Sequence, residues 1–271
     1  MDTRPIGVFD SGMGGLTAVR QMIRLLPGED IVYFGDTGRV PYGGRSVETI
    51  VRYARQDVAF LRSFDLKAIV IACGTVSTTA LHLLKNENAI PILGVVQPAA
   101  SAAVKATKSG NIGIIGTKAT IRSGAYEMSI RALLPEAKLT AKACPLLVPL
   151  VEDGRVRRGD FVTERVVEEY LSPVKAAGVD TLVLGCTHYP LLADVISDYM
   201  GAGVTLIDTG EQAALAAAAL LGEQGRLNDA NRAGERRYYA SDSAADFAAT
   251  ASLYLGADIS GLVERVAIEN Y

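Results

Sequence analysis

The sequence predicts an α/β protein built as two similar α/β units of mostly parallel sheet that face each other across a central cleft. Three observations carry this. Short β-rich runs alternate with helix-like segments from one end of the chain to the other, the pattern of parallel sheets joined by crossover helices. Nine such runs are many for one sheet, and Ile112-Gly113-Ile114-Ile115-Gly116-Thr117 reads as a fresh first strand and turn. Two short cysteine motifs, Ile71-Ala72-Cys73-Gly74-Thr75 and Leu184-Gly185-Cys186-Thr187-His188, each follow a hydrophobic run, so each unit can bring one thiol to the cleft between them.

The strand candidates, in order, are 6–9, 31–35, 68–72, 91–95, 112–116, 139–143, 181–185, 204–208 and 237–240. Between them the segments 47–64, 98–107, 159–177 and 211–222 are amphipathic or Ala-rich and read as helices, with Ser46 placed to cap the first of them. Gly, Pro, Asp and Asn punctuate the joints, as turn chemistry requires. No low-complexity linker and no short-period repeat interrupts the pattern.

The totals exclude several function classes. The chain has 271 residues, 49% hydrophobic and 21% charged, with a formal net charge of −3. No Lys/Arg run is long enough to follow a phosphate backbone, which argues against nucleic acid as a partner; the arginines at 155–158 read as a solvated turn. Three cysteines, none in a Cys-x-x-Cys spacing, support neither a disulfide framework nor a zinc module and point to a reducing cytoplasm. The apolar stretch 213–221 falls far short of the roughly 20 residues of a membrane helix, and the run 6–9, interrupted by Asp10, is too short for a signal-peptide core.

Chemistry concentrates at the ends of the predicted strands, where open α/β sheets bind ligands. Phe9-Asp10-Ser11-Gly12-Met13-Gly14-Gly15-Leu16 is a strand ending in an acid and a glycine-rich turn into a helix. It carries neither the dinucleotide spacing nor the Lys-Ser/Thr of a phosphate loop. Gly35-Asp36-Thr37-Gly38-Arg39-Val40-Pro41-Tyr42-Gly43-Gly44 is a second loop able to turn backbone amides toward a cleft.

Cys73 has small polar neighbours and no adjacent acid, whereas Cys186 has His188 two residues on, an imidazole able to stabilise a thiolate or move its proton. The other histidine, His82, lies in a helical stretch at 78–85 and reads as structural, and Cys144 reads as a core residue. No set of ligands at metal spacing is present. A cysteine hydrolase would use one thiol with a histidine and leave the other unexplained, while a pure binding module would leave both unexplained. Two opposed thiols suit removal of a proton from one face of a carbon and delivery to the other.

Taken in order, Asp10-Ser11-Gly12 with Gly14-Gly15, Gly35-Asp36, Pro41-Tyr42-Gly43, Cys73 with Thr75, Gly116-Thr117, Val148-Pro149-Leu150-Val151-Glu152 and Gly185-Cys186-Thr187-His188-Tyr189-Pro190 resemble the glutamate racemase family of the cofactor-independent aspartate/glutamate racemase superfamily. The resemblance implies interconversion of L- and D-glutamate without cofactor or metal, supplying D-glutamate for peptidoglycan and hence for cell wall and cell shape. The alternative within the superfamily is racemisation of aspartate or another acidic amino acid. It further implies Cys73 as the base on the D-glutamate face and Cys186 on the L-glutamate face. Asp10 would assist the first thiol and His188 the second, with Glu152 as a supporting acid. Substrate contacts would come from Asp10, Ser11, Pro41, Tyr42, Gly43, Gly74, Thr75, Thr187 and His188. By the same resemblance the first unit is discontinuous, 1–97 plus 209–271, the second spans 98–208, and a homodimer is the expected assembly.

One position departs from the family. Asn usually follows the first catalytic cysteine, its amide binding substrate, and here that position is Gly74. The missing donor shifts the burden to backbone amides, water or other side chains.

Overall fold

The computed structural model describes residues 2–228 and 232–271, and among them ten strands divide between two sheets. The strands are β1 (Ile6–Asp10), β2 (Ile31–Gly35), β3 (Ala68–Ile71), β4 (Ile92–Gly94), β5 (Asn111–Gly116), β6 (Lys138–Ala143), β7 (Thr181–Gly185), β8 (Thr205–Asp208), β9 (Arg236–Ala240) and β10 (Val263–Arg265). The first sheet has the order β10-β9-β2-β1-β3-β4 and the second β6-β5-β7-β8. Every ladder described is parallel. β1, β2, β3 and β7 are buried along their whole length, as continuous apolar runs covered on both faces must be.

All nine strands expected from the sequence are present. The tenth, β10, is a three-residue Val-Glu-Arg edge strand too short and too polar to announce itself. The helices fall close to their expected places, at Val47–Leu61, Val96–Ala106, Phe161–Ala176 and Thr209–Glu223. Ser46 caps the first, its Oγ accepting from Thr49 N at 3.3 Å. The stretch expected as one helix at 78–85 is instead broken at Ala80, which ends Gly74–Thr79 and precedes Leu81–Glu87. His82 lies exposed on the second of these.

Two Ala-rich helices carry the chain between the sheets. Val96–Ala106 leads from β4 to β5, Thr209–Glu223 leads from β8 back toward β9, and the two pack on each other. Small side chains allow close approach: a Cβ placed on Gly210 would sit 3.1 Å from Ala18, on the neighbouring helix Leu16–Leu25. After the return, β9 pairs with β2 in the register Ile31↔Arg236 to Gly35↔Ala240, and the helix Ala244–Leu255 packs on Leu16–Leu25.

The returning chain is fastened by a buried charge. Lys67, with no exposed surface, pairs with Glu29 and donates to the carbonyls of Asp2 at 2.8 Å and Arg226 at 2.9 Å. Asn228 N donates to the other Glu29 oxygen at 2.7 Å. A buried ion pair contributes little net stability, but losing one partner strands the other.

Candidate active site

In both sheets chain order reverses about a central strand, β1 between β2 and β3, and β5 between β6 and β7. The carboxyl ends of such strands open onto a crevice. Between the two sets of strand ends lies a cavity of about 430 Å³. Ser11, Pro41, Tyr42, Gly43, Cys73, Gly74 and Thr75 line it from the first-sheet side, and Glu152, Cys186, Thr187 and His188 from the second. Each thiol arrives just past a strand end, Cys73 after β3 and Cys186 after β7. Both are nearly enclosed, at 4% and 7% exposure.

The two thiols have different company. Cys73 Sγ donates to Ser11 Oγ at 3.5 Å. Burial first, and then the charge of Asp10, push its thiol up to about 12, so it holds its proton at neutral pH. Asp10 lies beneath the cavity wall at 1% exposure; its Oδ2 accepts from Gly12 N at 3.2 Å and its Oδ1 has no protein partner. Burial raises its carboxyl, opposed by the charge of His188 and by the amides of Gly15, Gly12 and Ser11.

Cys186 Sγ stands 3.8 Å from His188 Nδ1, and His188 Nε2 stands 3.2 Å from Glu152 Oε1. Burial works against a charged imidazole, but hydrogen bonding to Cys186 and Glu152, with the charges of Cys186 and Asp10, outweighs it and lifts His188 to about 10.

The loop after β2 is held from behind. Tyr42 donates its hydroxyl to Asp36 and, at 3.1 Å, to Asp57, while Arg39 bonds Asp36 at 2.6 Å, Asp57 at 3.0 Å and Gln56 at 2.5 Å. The Tyr42 hydroxyl is therefore engaged by two carboxyl groups that do not line the cavity.

Thr75 Oγ1 meets Thr117 Oγ1 at 3.1 Å across the cleft, and Thr117 Oγ1 meets Thr120 Oγ1 at 3.0 Å. A Cβ on Gly74 would lie 2.6 Å from the carbonyl oxygen of Gly185. The family's asparagine has no room in this arrangement.

Sequence reasoning missed Thr117 and Lys118 as lining residues, and Tyr254, whose ring meets His188 edge-on with centroids 5.6 Å apart and planes at 87°. Gly116-Thr117 follows a strand-like run, but nothing local in the sequence marks the hydroxyl as facing a cavity. Lys118 is an ordinary exposed lysine opening a helix, and Tyr254 sits in the helix Ala244–Leu255, far along the chain from the other residues of the site. Cys144 is fully buried in the hydrophobic core, its carbonyl accepting from Tyr189 Oη at 2.9 Å. Among the described residues no group of three or more His, Cys, Asp or Glu is placed to hold a metal ion.

The model of the Asp/Glu/Hydantoin racemase family matches residues 6–218. A glutamate racemase from Geobacter metallireducens is 44% identical over 269 residues, spanning 99% of this chain and 98% of its own. Among solved structures, a glutamate racemase isoform from Bacillus anthracis superposes with a TM-score of 0.93 at 40% identity over 98% of both chains. The Francisella tularensis glutamate racemase, in complex with D-glutamate, superposes with a TM-score of 0.91 at 37% identity over 100% of both.

Proposed function

The chain belongs to the Asp/Glu/Hydantoin racemase family, and on that premise we propose that it interconverts L- and D-glutamate by transferring the α-proton between two cysteines. One observation carries the proposal: two buried thiols, each just past the end of a strand in a different sheet, line the same cavity.

The two sulfurs have different surroundings. Cys73 holds its proton, while Cys186 lies 3.8 Å from His188 Nδ1, within reach of an imidazole that can take and return its proton. L-glutamate meets Cys186 as base: the thiolate takes the α-proton, the electron pair remains on Cα, and the Cys73 thiol delivers a proton to the opposite face. The product is D-glutamate, with Cys186 protonated and Cys73 a thiolate. Asp10 and His188 then govern how the two sulfurs return to their starting state, and Glu152 supports the imidazolium. Exclusion of water strengthens every one of these interactions. Substrate contacts are assigned to Ser11, the backbone of 41–43, Gly74, Thr75, Thr187 and His188, with Asp10 acting from beneath.

The same reading takes 1–97 with 209–271 as one α/β unit and 98–208 as the other. The chain is expected to work in the cytoplasm as a homodimer, its D-glutamate serving peptidoglycan synthesis. No helix among the described residues is long and apolar enough to cross a membrane.

The test is racemisation of each enantiomer followed by circular dichroism, without added cofactor or metal, with deuterium incorporation at Cα read by mass spectrometry. Wild type should act in both directions. Cys73→Ser and Cys186→Ser should each lose about 10²–10⁴-fold, the range for removal of a general acid or base. Full activity in either variant, or a wild type inert on glutamate and active on aspartate, would sink the proposal.

A further inference from the structure

His188 is enclosed on every side that matters to its orientation. Its Nδ1 faces Cys186 and its Nε2 faces Glu152. The backbone of Gly14 closes one flank, where an added Cβ would meet Thr187 Oγ1 and lie 2.7 Å from His188 Nδ1. The ring of Tyr254 closes another, at 87° to the imidazole. Tyr254 comes from the helix Ala244–Leu255, beyond the residues that match the family model, and is wholly buried.

We propose that Tyr254 is a positioning residue for the proton transfer at Cys186, its ring fixing the imidazole of His188 between the sulfur and Glu152. This rests on the function proposed above and deepens it. An imidazole can turn about the bond to its Cβ, and a ring set at right angles against it blocks that rotation as a flexible aliphatic chain cannot. The fixing element comes from the part of the chain that completes the first sheet, while Cys186 and His188 belong to the second. The orientation of the Cys186 pair thereby depends on both halves being in place.

The Tyr254 hydroxyl is buried without a protein partner. Burial, with the charges of Glu152, Asp10 and Cys186, keeps it a neutral phenol. Removing the hydroxyl alone therefore separates its role from that of the ring. The titratable groups facing His188 are Cys186, Glu152, Asp10 and this phenol.

The experiment pairs Tyr254→Phe with Tyr254→Leu and reads two quantities. One is kcat and KM for racemisation; the other is the ring-nitrogen spectrum of protein labelled with ¹⁵N-histidine. With two histidines in the chain and His82 exposed on the helix Leu81–Glu87, His82 serves as internal reference.

Tyr254→Phe should keep kcat within about threefold and leave the His188 nitrogens in place. Tyr254→Leu should lower kcat by about tenfold or more with KM changed less than about threefold, and should shift the His188 nitrogens alone. If the Leu variant does not fold, Tyr254→Met takes its place, filling the volume with no planar edge. The proposal is overturned if the aliphatic variant keeps kcat, if it loses kcat with the His188 nitrogens unmoved, or if the Phe variant loses as much. A wild type without glutamate racemisation would defeat the proposed function, and the nitrogen shifts would still decide the ring contact.

Discussion

Replacing Gly74 by Ala, or by the Asn that the family usually carries, should slow the reaction. A Cβ at this position would lie 2.6 Å from Gly185 O, where ordinary contact begins at 3.4 Å. About 0.8 Å must therefore be found between two pieces of backbone. Neither side can give it locally. Gly185 ends a strand flanked by β5 and β8 and is itself paired with Gly116. Gly74 opens a helix directly after β3.

The relief is for one sheet to move from the other, and since Cys73 adjoins Gly74 and Cys186 adjoins Gly185, the thiols separate with it. A misplacement near 1 Å costs on the order of 10²-fold in rate. We expect kcat to fall about 10- to 100-fold in both variants. Because the two enantiomers have equal free energy, kcat/KM must fall equally in both directions. Circular dichroism from each enantiomer measures this, with Gly203→Ala as control, since a Cβ there meets nothing within 4 Å. Gly74→Asn with kcat at or above wild type, its melting temperature unchanged, would refute the reasoning.

Stability should depend on His188. Its folded value near 10 lies above the ordinary 6.5, so its contribution is complete below pH 6.5 and disappears as pH rises through about 10. Urea midpoints should decline over that window in wild type and decline less in Glu152→Gln; equal slopes would remove Glu152 as a cause. Lys67→Met takes from the buried Glu29 its ion-pair partner and should destabilise by about 3–5 kcal/mol, seen as a melting temperature lower by roughly 10 °C; an unchanged melting temperature would contradict that account. Tyr42→Phe removes the hydroxyl that both Asp36 and Asp57 accept and should loosen the loop at 40–44, raising KM about tenfold with a smaller change in kcat. A changed kcat at constant KM would place Tyr42 elsewhere in the reaction.

The fold was legible where the chain repeats one local pattern. Buried parallel strands are short apolar runs bounded by turns, and each of the nine expected is present. β10 escaped because edge strands need no apolar run. The break at Ala80 escaped because nothing in Thr78–Thr79–Ala80–Leu81 interrupts helical propensity; it is imposed by packing. In the site, what could be read were residues at strand ends: Cys73, Cys186, Asp10 and the 41–43 loop. Thr117, Lys118 and Tyr254 were not, because their place is set by how distant elements dock. Gly74 was noticed as a departure, but only the three-dimensional arrangement shows a carbonyl where the side chain would be.

The pairing of β2 with β9 has a consequence for how the protein is made. The ladder joins residues 31–35 to residues 236–240. At about 5–20 residues per second, a ribosome takes roughly 10–40 s to supply the second strand after the first. During that time β2 presents an open edge, the kind that invites pairing with another chain. The second sheet, all of whose strands lie between 111 and 208, can assemble while the first is still waiting. Newly made protein is therefore most exposed to mispairing before residues 236–240 emerge to close that edge.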